Sequence, residues 1–285
     1  MDQRIINLYD EYTHAPLPRR VFLERLTALV GSAAAVPAIL AAIEPNYARA
    51  ALVEPGDPRI AVDTVNIQAA TGDLRAYVAR PKTAERSPAV IVIHENRGLN
   101  PHIEDVARRF ATEGFVALAP DLLSPLGGTP QDADRAREMI GQLDAGKTVN
   151  NLISAQSYLL SYRYSTGKVG AVGFCWGGGI ANQFAIKAPD LEAVVVYYGR
   201  TPDPAQIGSI KAPLLLHYAG LDQGINAGVP AFEAALKAAG VPHQIYMYEG
   251  VNHAFNNDTS AERYNEQAAK LAWTRTVEFL RQYLV

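Results

Sequence analysis

Gly173-Phe174-Cys175-Trp176-Gly177-Gly178-Gly179 contains the only cysteine in a chain of 285 residues. It follows Lys168-Val169-Gly170-Ala171-Val172, a run with strand character, and it opens a segment with helical character. A thiol set as Gly-x-Cys-x-Gly at a strand-to-helix turn has the nucleophile-elbow pattern, with sulfur in place of oxygen. The turn is tight, so small residues must flank the central one on both sides. The start of the following helix directs backbone N–H groups and partial positive charge at the sulfur, which favours thiolate. The competing reading is a small buried cysteine that only packs; the glycine spacing and the strand–helix context argue against it.

The segments around the elbow set the fold class. Ile60 to Ile67 and Leu74 to Val78 alternate as antiparallel strands do, with Thr71-Gly72-Asp73 as the turn. Ala89 to Ile93 is a continuous apolar run, as in a strand covered on both faces. His102 to Glu113 reads as a helix with Val106, Phe110 and Ala111 inward, ending at Gly114, and Phe115 to Ala119 as a strand stopped by Pro120-Asp121. Helices follow at about Gln131 to Leu143 and Thr148 to Tyr162. Beyond the elbow, strands Ala193 to Tyr197, Pro213 to Tyr218 and His243 to Tyr248 alternate with helices near Ala231 to Ala239 and Ser260 to Leu284. Strands alternating with helices imply an α/β fold, a mainly parallel sheet with helices on both faces. Ligands in such sheets bind at the carboxyl ends of the strands.

A nucleophile needs a base. His253, in Gly250-Val251-Asn252-His253-Ala254-Phe255, and Asp222, in Ala219-Gly220-Leu221-Asp222, each follow an expected strand. The chain order nucleophile, acid, histidine is that of the α/β-hydrolase fold. Taken singly, His253 reads as a hydrogen-bonding loop residue and Asp222 as a turn or helix cap. Their joint placement behind Cys175 favours proton transfer and its orientation.

With His94-Glu95-Asn96-Arg97-Gly98, Gly173-Phe174-Cys175-Trp176-Gly177-Gly178, Gly220-Leu221-Asp222 and Asn252-His253-Ala254-Phe255 in this order, the chain resembles the dienelactone hydrolase family over roughly Asp63 to Leu284. The resemblance implies Cys175 as nucleophile, His253 as base, Asp222 as its orienting acid, and Glu95 as the group that keeps the resting thiol protonated and accepts its proton when substrate binds. It implies an oxyanion hole from the backbone N–H groups of Trp176 and Asn96. The family's two substrate-binding arginines fall on Pro125 and Asn257 here, so dienelactone itself is not the expected substrate. Arg97 and Arg200, in loops at the catalytic end, either supply that cation or make structural salt bridges. Glu95 has its own structural alternative, an ion pair with Arg97. Trp176, Tyr197 and Tyr198 either wall the substrate pocket or pack on the sheet. His94 is expected to shape the oxyanion loop and His217 to be a satisfied core residue; His14, His102 and His243 carry no pattern.

Residues 1–54 differ from the catalytic domain at 55–285. Pro18-Arg19-Arg20-Val21-Phe22-Leu23, the apolar run Leu26 to Ala42 and Ala48-Arg49-Ala50 resemble a twin-arginine export signal, which implies a periplasmic protein. The other reading is a helical arm of a cytoplasmic protein, packed on its own domain or on a second copy to build a homo-oligomer. Glu24, Arg25 and Pro37 interrupt the run, which is too short for a stable membrane span.

Hydrophobic residues make up 48% and charged residues 19% of the chain, enough for a substantial core. The formal charge of −3, without long runs of one sign, leaves no footprint for nucleic acid or an anionic membrane. One cysteine excludes an intrachain disulfide, and no Cys-x-x-Cys or His-Glu-x-x-His pattern is present. The expected protein is a cysteine-dependent hydrolase of a small-molecule ester or lactone that needs no metal or organic cofactor. The alternatives are a general carboxylesterase or thioesterase of small acyl substrates, and a binding protein that retains the fold without turnover.

Overall fold

The computed structural model describes residues 1–14, 17–47 and 51–285. The small-residue site expected at Ala48-Arg49-Ala50 lies outside the described residues. The eight strands are β1 (Ile60–Ala69), β2 (Gly72–Pro81), β3 (Ser87–Ile93), β4 (Val116–Pro120), β5 (Ser165–Phe174), β6 (Ala193–Tyr197), β7 (Leu214–Ala219) and β8 (His243–Tyr248). They form one sheet in the order β1-β2-β4-β3-β5-β6-β7-β8. The first hairpin is antiparallel and β2 meets β4 antiparallel; from β4 across to β8 every pairing is parallel. The expected α/β-hydrolase architecture is therefore present. The hairpin turn is Ala70-Thr71, one residue earlier than the sequence suggests, because Gly72, with φ +112°, already pairs with Ala69.

The parallel strands are apolar on both faces, since helices cover both. Along β5, Ala171 faces one layer and Val172 and Phe174 the other. One face is covered by α4 (Pro101–Thr112) and α10 (Glu266–Leu284). Ile103, Val106, Ala107, Phe110 and Ala111 of α4 are buried as its periodicity requires, and truncating a ring such as that of Phe110 costs about 3–5 kcal/mol. The other face carries α6 (Ala145–Ser161), α7 (Trp176–Lys187) and α9 (Val229–Ala239). Helix α10 begins later than its apolar period suggests, because residues 257–264 form turns and Asn265 caps the helix by accepting from the Ala268 amide.

The N-terminal segment folds into α1 (Gln3–His14), α2 (Arg19–Val30) and α3 (Val36–Ile43). Ile5, Ile6, Tyr9 and Tyr12 form a small core with Phe22, Leu26, Val36 and Ile43, in which Tyr12 stacks on Phe22 at 4.3 Å. Pro37 sits in the first turn of α3, where it costs no hydrogen bond. Among the described residues no single helix is long and apolar enough to cross a membrane; α2 and the segment Ala33–Ile43 meet that length only together, with a 110° bend between them. The paired arginines are engaged on the surface, Arg19 with Asp134 and Arg20 with Glu24.

These helices dock on the catalytic end of their own chain. Arg137, from α5 (Ala133–Ile140), donates to the Tyr12 carbonyl at 2.9 Å and lies 4.2 Å over the Tyr12 ring. Arg263 pairs with Asp10 at 3.2 Å, and the Ser260 hydroxyl donates to the Ile43 carbonyl at 3.1 Å.

Candidate active site

Cys175 occupies the one-residue turn between β5 and α7, with φ 54° and ψ −118°. A non-glycine residue rarely adopts a positive φ, and such strain persists only where neighbours over-determine it. Here they do. A Cβ on Gly173 would lie 2.2 Å from the Gly177 carbonyl oxygen, and one on Gly177 would lie 2.3 Å from that of His94. The Cys175 amide donates to the Tyr197 carbonyl at 3.0 Å, which fixes the turn over β6.

The loops after β7 and β8 are tied together by Gly220 N–H to Tyr248 O at 2.8 Å and Leu221 N–H to Val251 O at 3.0 Å. This brings Asp222 to His253, with Oδ2 2.5 Å from Nδ1. Asp222 also caps the short helix α8 (Gln223–Asn226) through Oδ1, which accepts from the Ile225 amide at 3.2 Å. The cap and the histidine contact are thus made by different oxygens of one carboxylate. With Nδ1 taken by Asp222, Nε2 is the remaining nitrogen of a ring only 2% exposed, and it has no hydrogen-bond partner among the described residues.

Cys175 Sγ has its closest polar partner elsewhere. Nε2 of His14, at the end of α1, lies 3.1 Å away, and the His14 ring meets the His253 ring edge-on with centroids 4.2 Å apart. His14 showed no pattern in the sequence; only the docking of α1 brings it here. Burial pushes the Cys175 thiol up, but the imidazoles of His14 and His253 outweigh this and bring it down to about 6. Burial disfavours a charged His253, yet the sulfur and Asp222 raise its pKa well above the usual value. Burial likewise works against the Asp222 carboxylate, and the His253 contact reverses it to a lowered pKa.

The loop after β3 carries the next three expected residues. His94 is fully buried; its Nδ1 lies 2.7 Å from the Glu95 carbonyl and its Nε2 accepts from the Leu122 amide at 3.2 Å, which fixes both the ring and the loop. Glu95 is buried, with Oε2 accepting from Asn257 Nδ2 at 2.8 Å and Oε1 from the Tyr198 hydroxyl at 3.5 Å. It shares a cavity of about 20 Å³ with Cys175, His253 and the buried Arg263. Asn96 donates its side-chain amide to the Thr13 carbonyl. Trp176 is the first residue of α7, where a backbone N–H has no acceptor within the helix, and its ring stacks on His94 at 5.4 Å.

The two candidate cations separate. Arg97 is buried and pairs with Asp134 at 3.1 Å and with the Tyr9 hydroxyl at 3.3 Å, so it joins the arm to the domain. It makes no ion pair with Glu95. Arg200 is exposed, forms no ion pair among the described residues, and lines a cavity of about 630 Å³ with Cys175, His253, Trp176, Tyr198 and His14. Tyr198, at φ 40°, packs its buried ring 4.8 Å from that of His253. His217 is the satisfied core residue expected, between Thr276 at 3.1 Å and the Tyr248 hydroxyl at 3.0 Å.

Among the described residues, His14, Cys175 and His253 are the one group whose ligand-type atoms fall within 4.8 Å of one another. A thiophilic divalent ion suits such a set.

A sequence profile of the dienelactone hydrolase family matches residues 74–284. A Saccharolobus solfataricus protein provisionally named carboxymethylenebutenolidase is 35% identical over 245 residues, covering 73% of this chain and 94% of that one. A Methylorubrum extorquens protein of the same provisional name is 30% identical over 282 residues, 94% of this chain and 96% of that one. The crystal structure of a provisionally assigned dienelactone hydrolase from Klebsiella pneumoniae superposes with a TM-score of 0.72 at 30% identity, covering 79% of this chain and 99% of that one.

Proposed function

Because this chain belongs to the dienelactone hydrolase family, and so is a hydrolase of carboxylic ester or lactone bonds, we propose that it acts by covalent catalysis, with Cys175 as nucleophile, His253 as proton carrier and Asp222 as the acid that orients it. The observation that carries this reading is the buried Nε2 of His253, left without a partner beside the elbow sulfur while Asp222 holds Nδ1 at 2.5 Å. A carboxylate in that position fixes the tautomer and stabilises the imidazolium that forms.

The thiolate attacks the carbonyl carbon, and the oxyanion forms between the backbone N–H groups of Trp176 and Asn96. Collapse of this intermediate breaks the C–O bond, the leaving oxygen takes the proton that the thiol had given to the neighbouring imidazole, and a thioester remains on Cys175. His253 then takes a proton from water, whose oxygen attacks the thioester and releases the acid. Glu95, across the small cavity, opposes the thiolate by like charge and restrains it in the resting enzyme. Arg200, unpaired on the cavity wall, suits a substrate with an anionic group; Tyr198 forms the wall beside His253. A general carboxylesterase or thioesterase of small neutral acyl groups is the second reading, favoured by Pro125 and Asn257 at the places of the family's arginines.

Rapid mixing with p-nitrophenyl acetate tests the chemistry. The expected result is a burst of nitrophenol and an acetyl adduct on Cys175 by intact mass, a unique site because the chain has no other cysteine. Full turnover after stoichiometric alkylation by iodoacetamide removes Cys175 from the reaction. Arg200→Gln separates the substrate readings: it should raise KM for carboxylate-bearing esters and leave neutral ones unchanged.

A further inference from the structure

We propose that His14, carried into the site by α1, is a further catalytic residue that takes the Cys175 thiol proton to form the attacking thiolate and leaves His253 free to activate water for deacylation. The inference rests on the covalent reading of Cys175.

The hydrogen-bond pattern of His14 sets its role. Nδ1 lies 2.7 Å from the Asp10 backbone carbonyl, which can only accept, so Nδ1 carries the proton of the neutral ring. Nε2 therefore presents a lone pair, and it does so 3.1 Å from Sγ. When the sulfur is protonated the thiol thus donates to His14, whereas His253 Nε2 has no partner of hydrogen-bond geometry among the described residues. Two imidazoles offer a basic nitrogen to one sulfur, each with its other nitrogen pinned, one by a carbonyl and one by a carboxylate.

The arm is a wall of the site rather than a plug. With α1 docked, the cavity of about 630 Å³ stays open and is lined by both His14 and Cys175, and His14 is exposed. The family profile begins at residue 74, beyond α1, so this imidazole is an addition to the matched pattern.

The steps balance without a further reactant. The proton leaves Sγ for His14 Nε2, the sulfur pair forms the C–S bond, and the carbonyl π pair moves to oxygen. Collapse breaks the C–O bond, and the departing alkoxide takes the proton from His14. Water then gives a proton to His253 as its oxygen attacks the thioester. The C–S bond breaks, and the proton on His253 returns to sulfur. The charged or titratable groups nearest Cys175 are His14 from α1, His253 from the loop after β8, Glu95 from the loop after β3, Tyr198 from the loop after β6, and Arg263 from the segment before α10; Arg137 and Glu138 of α5 and Arg200 line the larger cavity, and Tyr9 of α1 and Arg97 the smaller one.

The test compares wild type, His14→Ala and His14→Gln in stopped-flow acetylation by p-nitrophenyl acetate, with deacylation followed separately on pre-formed acetyl-enzyme. Loss of a positioned base costs about a hundredfold or more, so acylation should fall by that order in both variants while deacylation stays within about twofold. Imidazole in solution should restore acylation in His14→Ala, where it can enter the vacated space, and fail to do so in His14→Gln. A purely structural role predicts lower melting temperatures, both steps slowed together and no rescue, and any of the last two overturns the proposal. Faster acylation in His14→Ala also overturns it, because His14 would then be a block. If wild type forms no adduct on Cys175, the covalent reading itself fails; if the adduct forms at the wild-type rate in His14→Gln, only this inference does.

Discussion

The side-chain amide of Asn96 donates to the backbone carbonyl of Thr13 at 2.7 Å, so the loop proposed to supply one oxyanion donor is tied to the end of α1. The same helix end holds His14 against the thiol. Asn96→Ala removes this tie without touching the backbone N–H of residue 96. It should reduce acylation by up to about fivefold, the scale of one lost hydrogen bond of about 1 kcal/mol, and speed amide exchange in α1. Hydrogen exchange read by mass spectrometry checks the second outcome; unchanged protection of α1 together with an unchanged rate means the tie has no part in the site.

The thiol, lowered to about 6 by His14 and His253 against the cost of burial, should give an iodoacetamide rate that rises through about pH 6 and is flat above it. A lowered acid pKa places the reactive thiolate above its midpoint, so reactivity is lost as pH falls through that value. An unperturbed thiol would rise only near pH 8.5. Cys175→Ser should fold normally and keep only a trace of esterase activity, because the site is tuned for thiolate. A serine variant with the wild-type kcat means that the sulfur is not the attacking atom.

Why the sequence yields some of this site and not the rest is a matter of where the information lies. The turn at Cys175 is encoded locally, since Gly173 and Gly177 are needed wherever the backbone closes so tightly, and one short stretch therefore reveals both the strand–helix order and the nucleophile candidate. Asp222 and His253 follow because each ends a strand in a fold whose chain order is known once the sheet is. His14 is different. It reaches the sulfur only through the docking of α1 by Arg137, Arg263 and Asn96, contacts between segments more than eighty residues apart in the chain that leave no periodic or spacing signal. Arg97 was open between substrate and salt bridge for the same reason: its partner Asp134 lies on α5, whose existence is legible but whose position over the site is not. Buried Arg263 was missed because nothing in its local sequence distinguishes it from a surface arginine.

His253→Ala and Asp222→Asn should differ in degree. On the proposed mechanism the histidine moves the deacylation proton, so its removal should let the acetyl adduct accumulate and cut turnover by about a hundredfold or more. Asp222→Asn keeps the α8 cap but leaves the ring without its negative partner, so its loss should be smaller and greatest where the imidazolium is needed. Both variants at wild-type rates between about pH 6 and pH 9 would remove the acid and base from these two loops.

Glu95→Gln isolates the charge of the buried carboxylate. Both of its oxygens accept, one from Asn257 and one from Tyr198. A glutamine can turn its oxygen to Asn257 and its NH₂ to the tyrosine hydroxyl, so the fold should survive with a loss of about 1 kcal/mol. The carboxylate across the small cavity from Cys175 is replaced by a neutral amide, however, and with it goes the proposed like-charge opposition to thiolate. The midpoint of the iodoacetamide profile should therefore move below the wild-type value of about 6, with faster alkylation at about pH 5 and no change on the plateau. Buried Arg263 lines the same cavity and retains Asp10 as a partner, so the variant leaves no cation stranded and any large drop in melting temperature cannot be laid to it. A profile that coincides with wild type, whatever the melting curve shows, confines Glu95 to holding Asn257 and Tyr198 in place and leaves the two imidazoles as the groups that set the state of the thiol.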